Sequence, residues 1–204
     1  MKKYLIIFLL VSLALTGAGC QKKEQPVSVT QLFPLEPGNY WKYSGYGNEF
    51  ASFEKKVLFR ENQRVQVVDI NPGTTMAVIY EVRENEIAVI YSEPDFYQET
   101  NLLQQEGNMN QAILQGPVVT GTTWTTNGST YLIEKTDATV ETEAGTFTGC
   151  VQIKVSYEHG EANLFTWYKP GLGMVKQEFV ATEVDFVVTS LLSDYQVAGF
   201  PDKK

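Results

Sequence analysis

The chain is poor in the side chains from which catalytic and metal sites are usually built. Its 204 residues include one histidine, His159, and two cysteines, Cys20 and Cys150. A metal site needs several converging ligands, and one histidine flanked by Glu158 and Glu161 supplies too few of them. Two isolated cysteines build neither a disulfide framework nor a metal-binding cluster. We therefore expect no metal and no cofactor.

Sequence motifs for nucleotide and nucleophile chemistry are also missing. The chain contains no G-x-G-x-x-G, no G-x-x-x-x-G-K-[ST] and no G-x-S-x-G. The first two bind phosphate groups in a loop, and the third presents a serine nucleophile. The sequence therefore indicates neither a nucleotide cofactor nor a serine hydrolase.

Basic residues are scarce. Lys and Arg total 16 against 24 Asp and Glu, which gives a formal net charge of −8. Removal of Lys2 and Lys3 with the leader leaves 14 basic residues against 24 acidic ones, a balance of −10. Nucleic-acid binding requires clustered Lys and Arg, and the chain has no such cluster. We expect no nucleic-acid partner, and an acidic surface that favours solubility.

The first twenty residues have the order of a bacterial secretory signal. Lys2 and Lys3 precede an apolar run over residues 4–15, and small residues precede Cys20. The run is too short to span a bilayer comfortably. Its T-G-A-G-C ending resembles the lipobox of bacterial lipoproteins, which predicts a lipid on Cys20 as the first mature residue. The alternative is an ordinary secretory signal with an incidental cysteine.

Lipidation of Cys20 would hold the protein at a membrane of the bacterial cell envelope, outside the cytoplasm, because two acyl chains give stable attachment. Residues 21–30 are polar and contain Pro26, which predicts a short flexible tether. Residues 31–204 then form a single all-β domain. Cys150, in FTGCVQIKV, is expected to be a small buried apolar residue rather than a nucleophile.

One motif, P-x-x-x-G-x-x-W, occurs at residues 34–41 and again at residues 117–124. After each copy come short segments rich in β-branched and aromatic residues, separated by turn signals such as Asn127-Gly128. Short turns favour antiparallel pairing, and no βαβ spacing is present. The sequence predicts an all-β antiparallel meander of roughly nine to eleven strands, forming a curved sheet or an open barrel.

The two motifs open two similar halves, residues 31–92 and 113–182. RVQVVDI in the first half matches CVQIKVS in the second, and TMAVIYEV matches LFTWYKP. Internal duplication is one interpretation. The other is that any antiparallel meander repeats strand and turn.

Residues 93–114 interrupt this pattern, because they are rich in Gln and Asn and only weakly periodic. They predict an irregular connection with one short helical turn near residues 99–105. Such a connection is either a solvated crossing between the halves, which we favour, or a functional lid.

Aromatic side chains on strands are able to line a concave surface that binds a lipid, a glycan or a peptide. The aromatic residues considered are Trp41, Tyr43, Tyr46, Trp124, Tyr131, Trp167 and Tyr168. Trp41 and Trp124 are expected in the core. Trp167 and Tyr168 are adjacent, so on a strand they point to opposite faces. The candidate ligand-binding residues are Tyr43, Tyr46, Trp167 and Tyr168.

Paired carboxylates would support glycoside hydrolysis if two of them faced each other across a cleft. The candidates are Asp95, Glu99, Glu134 and Glu183, and the sequence does not pair them.

Three segments, FPLEPGNYWKY, AGTFTGCVQIK and WYKPGLGMVK, resemble a diffuse group of uncharacterised bacterial exported lipoproteins. That group has the motifs P-L-x-x-G-x-x-W-x-Y, A-G-x-F and Y-x-x-G-x-G-x-V. The resemblance covers most of the mature chain. It implies an exported all-β domain and brings no catalytic residues.

Three functions stay open. The first is a non-enzymatic, membrane-tethered cell-envelope lipoprotein that binds a small apolar ligand or an envelope protein through a β-sheet surface. The second is an envelope hydrolase that uses Asp and Glu, one of them with a raised pKa. The third is a structural assembly subunit, which would present an unprotected sheet edge.

Overall fold

A computed structural model describes residues 26–158, 160 and 162–202. The predicted leader, Cys20, most of the predicted tether and His159 lie outside these residues. The described chain contains one short helix, α1 (Val29–Leu32), one 3-10 turn (Glu49–Ala51) and twelve strands. The strands are β1 (Tyr40–Tyr46), β2 (Phe53–Glu61), β3 (Arg64–Ile70), β4 (Thr75–Arg83), β5 (Glu86–Glu93), β6 (Gln111–Gln115), β7 (Thr123–Thr126), β8 (Ser129–Thr142), β9 (Gly145–Tyr157), β10 (Ala162–Lys169), β11 (Gly173–Ala181) and β12 (Val187–Gln196).

All twelve strands belong to one sheet, in the order β6-β5-β4-β3-β2-β1-β12-β11-β10-β9-β8-β7. Neighbouring strands pair antiparallel, which confirms the predicted fold class. The predicted count of nine to eleven strands is too low for the described residues. The additional strand is β6, whose sequence QAILQ lies in the Gln/Asn-rich stretch predicted as an irregular connection.

The two edge strands of the sheet approach each other. The indole Nε1 of Trp124 on β7 donates to the carbonyl oxygen of Ala112 on β6 at 3.0 Å. Nearby, the Gln111 side chain donates to the Tyr131 hydroxyl at 2.9 Å. Such contacts cover the unpaired groups that an edge strand otherwise exposes. The sheet is therefore nearly closed and barrel-like, which is the open-barrel form of the predicted architecture.

The helix α1 packs at one end of this sheet. A capping box starts it, because the Ser28 and Gln31 side chains each bond the other residue's backbone. Val29 is buried, so the last part of the stretch predicted as a tether packs on the sheet. The Gln31 carbonyl accepts a hydrogen bond from Gly171 N at 2.7 Å, which joins the helix to the β10–β11 turn. We call this end of the sheet the helix end and the opposite end the mouth end.

None of the helices formed by the described residues has the length and apolar character needed to cross a bilayer. The described strands and core lie within residues 26–202. A chain that lacks the predicted leader and Cys20 therefore retains every one of these elements.

Residues 94–110 lie against the outer face of β3, β4 and β5. Leu103 is 1% exposed and packs with Ile79 and Ile90, which point away from the interior. The buried Gln66 amide fixes the segment, donating to Thr100 O at 2.9 Å and accepting from Leu102 N at 2.7 Å. The stretch predicted to hold a helical turn, residues 99–105, has no helix but contains one hydrogen-bonded turn, in which Gln105 N donates to Leu102 O at 2.9 Å. The crossing is packed on the sheet instead of being fully solvated.

The two P-x-x-x-G-x-x-W motifs make the same hydrogen bonds. In each, the proline carbonyl accepts from the backbone N–H two residues on and from a side chain five residues on. The motif glycine has a positive φ, 91° for Gly38 and 93° for Gly121. Its N–H donates to the second strand after it, to Val57 O on β2 at 3.0 Å and to Ile133 O on β8 at 2.9 Å. Both tryptophans are buried, as predicted, and donate Nε1 to a backbone carbonyl.

Equivalent register continues beyond the motifs. Val57 lies opposite Val67 in the first half, and Ile133 lies opposite Ile153 in the second. Tyr80 follows a register shift between β4 and β5, and Tyr168 follows one between β10 and β11. The residue matches predicted from the sequence therefore occupy matching places. Descent of the halves from one ancestor stays a prediction.

Candidate functional site

The interior of the sheet contains a cavity of about 230 Å³. Its apolar lining consists of Phe33, Ile113, Val155, Leu164 and Met174. Its polar lining consists of Lys55, Tyr80, Gln111, Tyr131, Tyr157, Thr166, Tyr168 and Gln177. Apolar walls with a few placed polar groups are typical of small-molecule sites, although this cavity is at the small end of their range.

The cavity reaches from the mouth end toward the helix end. Gln111 begins β6 and Tyr157 ends β9, so both mark the mouth end. Phe33, directly after α1, contacts the rings of Trp41 and Tyr80 at centroid distances of 5.3 and 5.6 Å. The residues after α1 thus close the deeper part of the cavity.

A second cavity of about 280 Å³ lies beside the first. It is more polar, with Asn48, Asn71, Asp69 and Ser190 among its lining residues. Lys55 and Gln177 line both cavities and therefore lie between them.

Lys55 and Asp69 form an ion pair on this boundary. They lie opposite each other on β2 and β3, and Lys55 Nζ donates to Asp69 Oδ2. Their side chains are 16% and 18% exposed, and both residues line the second cavity. Asp69 Oδ1 is buried and has no hydrogen-bond partner among the described residues. A buried acceptor left in this state costs about 1–3 kcal/mol unless a donor reaches it.

The electrostatics keep the Lys55 ammonium charged. Burial by itself lowers the pKa of Lys55, because a charged ammonium loses hydration. The adjacent Asp69 carboxylate outweighs burial, and the pKa of Lys55 is raised above the ordinary lysine value. The ammonium therefore stays protonated at neutral pH and keeps donors for further hydrogen bonds.

The interior tyrosines stay neutral. Burial raises the pKa of Tyr80 to about 12 and raises the pKa of Tyr168 as well. Burial also raises the pKa of Tyr43, whose hydroxyl donates a hydrogen bond to Met174 O at 2.9 Å. Neutral phenols next to apolar walls can donate hydrogen bonds to a ligand without adding charge.

The four candidate ligand-binding residues are not brought together. Tyr168 lines the cavity, and Tyr43 lies buried in the core. Tyr46 is 52% exposed and donates to Glu143 Oε1 at 2.7 Å. Trp167 lies on the face opposite Tyr168, where the Lys176 ammonium sits 4.6 Å from its ring centroid. Only Tyr168 of the four lines this cavity.

The sequence analysis did not identify Lys55, Asp69, Tyr80 or Gln177 as site residues. The sequence contains a signal for this pair. Lys55 has the spacing that places it on the same strand face as Phe53 and Val57, and Asp69 has the spacing that places it on the same face as Val65 and Val67. A charged residue on the apolar face of a strand needs a partner across the sheet.

The remaining candidates lie elsewhere. None of Asp95, Glu99, Glu134 and Glu183 lines either cavity, and Asp69 is the one carboxylate among the described residues that does. No group of three His, Cys, Asp or Glu in the described chain is placed to hold a metal ion. Cys150 is fully buried, as predicted, and burial raises the pKa of its thiol to about 11.

No protein-family model and no curated protein matches the chain. Crystal structures that are similar to it include the following two. A presumed lipoprotein from Parabacteroides distasonis ATCC 8503 has a TM-score of 0.49 and 15% sequence identity, over 85% of this chain and 100% of its own. A presumed exported protein with a YmcC-like fold from Bacteroides fragilis NCTC 9343 has a TM-score of 0.46 and 12% identity, over 80% and 98%. These similarities concern the fold alone and assign neither a ligand nor an activity.

Proposed function

We propose that the protein is a non-enzymatic lipoprotein of the bacterial cell envelope, tethered through Cys20, that binds a small ligand inside its sheet. The observation that carries the proposal is the interior cavity of about 230 Å³ between the two halves. The T-G-A-G-C ending of the leader supports the tether and the location outside the cytoplasm.

The direction in which the chain enters the fold supports a ligand that arrives from the aqueous side. The segment after Cys20 leads to α1, which packs at the helix end. The cavity reaches the mouth end, at the opposite ends of the strands. A protein held by Cys20 would then present the cavity entrance away from its attachment point.

The binding mechanism is burial of an apolar group against Val155, Leu164 and Met174. Each methylene removed from water contributes about 0.8 kcal/mol. The hydroxyls of Tyr80 and Tyr168 and the Gln177 amide would orient the polar part of the ligand, since misplaced polar groups in such a site remain unpaired.

Native mass spectrometry tests the proposal on residues 21–204, exported behind a cleavable signal peptide and recovered from the envelope fraction of the bacteria. Val155 and Lys154 are neighbours on β9, but only Val155 lines the cavity. We expect wild type and Lys154→Trp to retain an extra mass that denaturation removes, and Val155→Trp to lose it. Wild type without any extra mass, and with no rise in Tm on addition of an envelope lipid extract, would contradict the proposal.

A further inference from the structure

We infer that the cavity ligand is a small uncharged amphipathic molecule, with a hydroxyl-bearing head at Lys55 and Gln177 and a short apolar tail beside Val155 and Leu164. This inference rests on the proposed function and names the chemical class of its ligand.

The first argument is the difference in lining between the two cavities. The first cavity carries phenol and amide groups, but its wall also includes the apolar side chains of Ile113, Val155 and Leu164. The second cavity presents amide, hydroxyl and carboxylate groups beside a few apolar side chains. A molecule that spans this boundary needs an apolar part and a polar part. An entirely polar or entirely apolar ligand would leave one side unmatched.

The second argument is charge. Lys55 and Asp69 are the only charged residues among the described residues that line the two cavities, and they neutralise each other. A ligand with a net charge would bring an uncompensated charge into a site removed from bulk water, which is strongly unfavourable. A head without net charge avoids this penalty.

The third argument is unused hydrogen-bonding capacity. Lys55 Nζ has three donors. Asp69 Oδ2 accepts one of them and the Tyr80 hydroxyl is a second hydrogen-bond partner, which leaves one donor for a ligand. Asp69 Oδ1 has no partner, and the Gln177 side chain bonds to none of the described residues. The site thus offers donors and acceptors side by side. A hydroxyl group matches this arrangement, because it accepts one hydrogen bond and donates another.

The fourth argument is the comparison of the two halves. Lys55 and Asp69 are opposite each other on β2 and β3, and the matching positions on β8 and β9 are Tyr131 and Val155. The same sheet geometry therefore forms with an uncharged pair in that place. Because a buried ion pair is seldom more stabilising than packed apolar residues, its presence in one half is better explained by ligand recognition than by folding.

The cavity guides the choice of probe. A volume of about 230 Å³ is small for a ligand site, so a probe with a short acyl tail is suitable.

Isothermal titration calorimetry with two probes of equal tail length tests the inference on residues 21–204 near pH 7.5. The probes are 1-monooctanoylglycerol, whose head is a neutral diol, and octanoate, whose head is an anion. We expect 1-monooctanoylglycerol to bind at least tenfold more tightly than octanoate. Equal or tighter binding of octanoate, or no binding of either probe, would overturn the inference.

Two variants locate the head. Lys55→Tyr combined with Asp69→Val installs the residues of the second half, and Gln177→Leu removes only the amide. Each should weaken 1-monooctanoylglycerol binding at least tenfold, whereas Lys154→Met on the outer face should leave it unchanged. Unchanged binding by a cooperatively folded Gln177→Leu protein would overturn the placement of the head.

The two proposals fail in different ways. If native mass spectrometry finds a charged ligand that Val155→Trp abolishes, the inferred class is wrong and the proposed function stands. If no variant of the cavity changes any retained mass, the proposed function itself is wrong.

Discussion

Tyr80 and Tyr168 line the same interior cavity from opposite halves of the sheet, and each lies directly after a register shift with the following strand. The two halves thus place the same phenol at the same point of the scaffold. They differ nearer the mouth end, where Lys55 and Asp69 in one half correspond to Tyr131 and Val155 in the other. The tyrosines that the halves share line the interior, and Lys55 and Asp69, which only the first half has, supply its charged groups.

The motif glycines provide a test of this shared scaffold. An added Cβ at Gly38 or Gly121 would meet nothing within 4 Å, so Ala at either position acts only through the positive φ. We expect Gly38→Ala and Gly121→Ala each to lower the free energy of unfolding by about 1–2 kcal/mol. Urea denaturation at one temperature measures this.

Asn is the matched control, because its side chain tolerates positive φ better than Ala does. Gly38→Asn and Gly121→Asn should therefore be less destabilising than the Ala variants. If Ala were neutral at one glycine and costly at the other, the two motifs would not be energetically equivalent.

The Lys55–Asp69 pair should be more sensitive to single than to double substitution. Lys55→Met leaves the Asp69 carboxylate uncompensated in the interior, and we expect a loss of about 3 kcal/mol in the free energy of unfolding. Lys55→Met with Asp69→Val should recover most of that loss. Guanidinium denaturation of wild type, Lys55→Met, Asp69→Val and the double variant gives the coupling free energy between the two side chains. Purely additive effects would show that the pair does not interact.

Alkaline titration should reveal the buried phenols. The pKa of Tyr80 is raised to about 12 by burial, and the pKa values of Tyr43 and Tyr168 are raised too. Groups whose folded pKa exceeds the unfolded value stabilise the fold below about pH 10, and this contribution is lost as pH rises through the folded values. We expect constant stability from about pH 7 to pH 9 and a steep decline above pH 10.

Phenolate absorbance provides the readout for this prediction. Absorbance from the tyrosines with a raised pKa should appear together with loss of the near-ultraviolet circular dichroism signal, and Tyr80→Phe should reduce the size of that late step. Complete phenolate formation at about pH 10 with the fold intact would show that these side chains are hydrated.

Cys150 should be unreactive in the folded protein. Its thiol is fully buried and its pKa is raised to about 11, so about one molecule in a thousand carries a thiolate at pH 8. Residues 21–204 contain no other cysteine. Iodoacetamide labelling followed by mass spectrometry should be slow natively and fast in concentrated urea.

An exposed thiol provides the comparison. Thr125 lies exposed on β7, and Thr125→Cys in a Cys150→Ala background should be labelled at similar rates with and without urea. Native labelling of Cys150 as fast as this control would contradict its buried position.

Much of the fold follows from the sequence alone. The segment RVQVVDI, matched to the second half in the sequence, forms strand β3, because Val65 and Val67 alternate with polar neighbours between clear turns. The prediction failed where local signals are weak or misleading. Strand β6 has only three apolar residues and pairs with β5 residues that lie 22 to 29 positions earlier in the chain, which local patterns do not encode. The start of α1 was detectable, since Ser28 and Gln31 have capping-box spacing.

The site was predicted less well than the fold. Tyr168 was identified from its alternation with Trp167, which fixes the face of a strand. Alternation along one strand does not determine which strands face each other in space. Tyr46 and Trp167 are therefore predicted as ligand-binding residues although they lie outside the interior. Lys55 and Asp69 depend on pairing between β2 and β3, and Gln177 depends on the curvature that brings β11 beside them.

The most direct test is a crystal structure of the mature protein isolated from bacterial envelopes without added detergent. The account predicts electron density for a bound molecule in the interior cavity, with a polar atom within about 3.2 Å of Lys55 Nζ and an apolar tail beside Val155. A cavity that holds only ordered water, with Lys55 and Asp69 contacting nothing else, would contradict it.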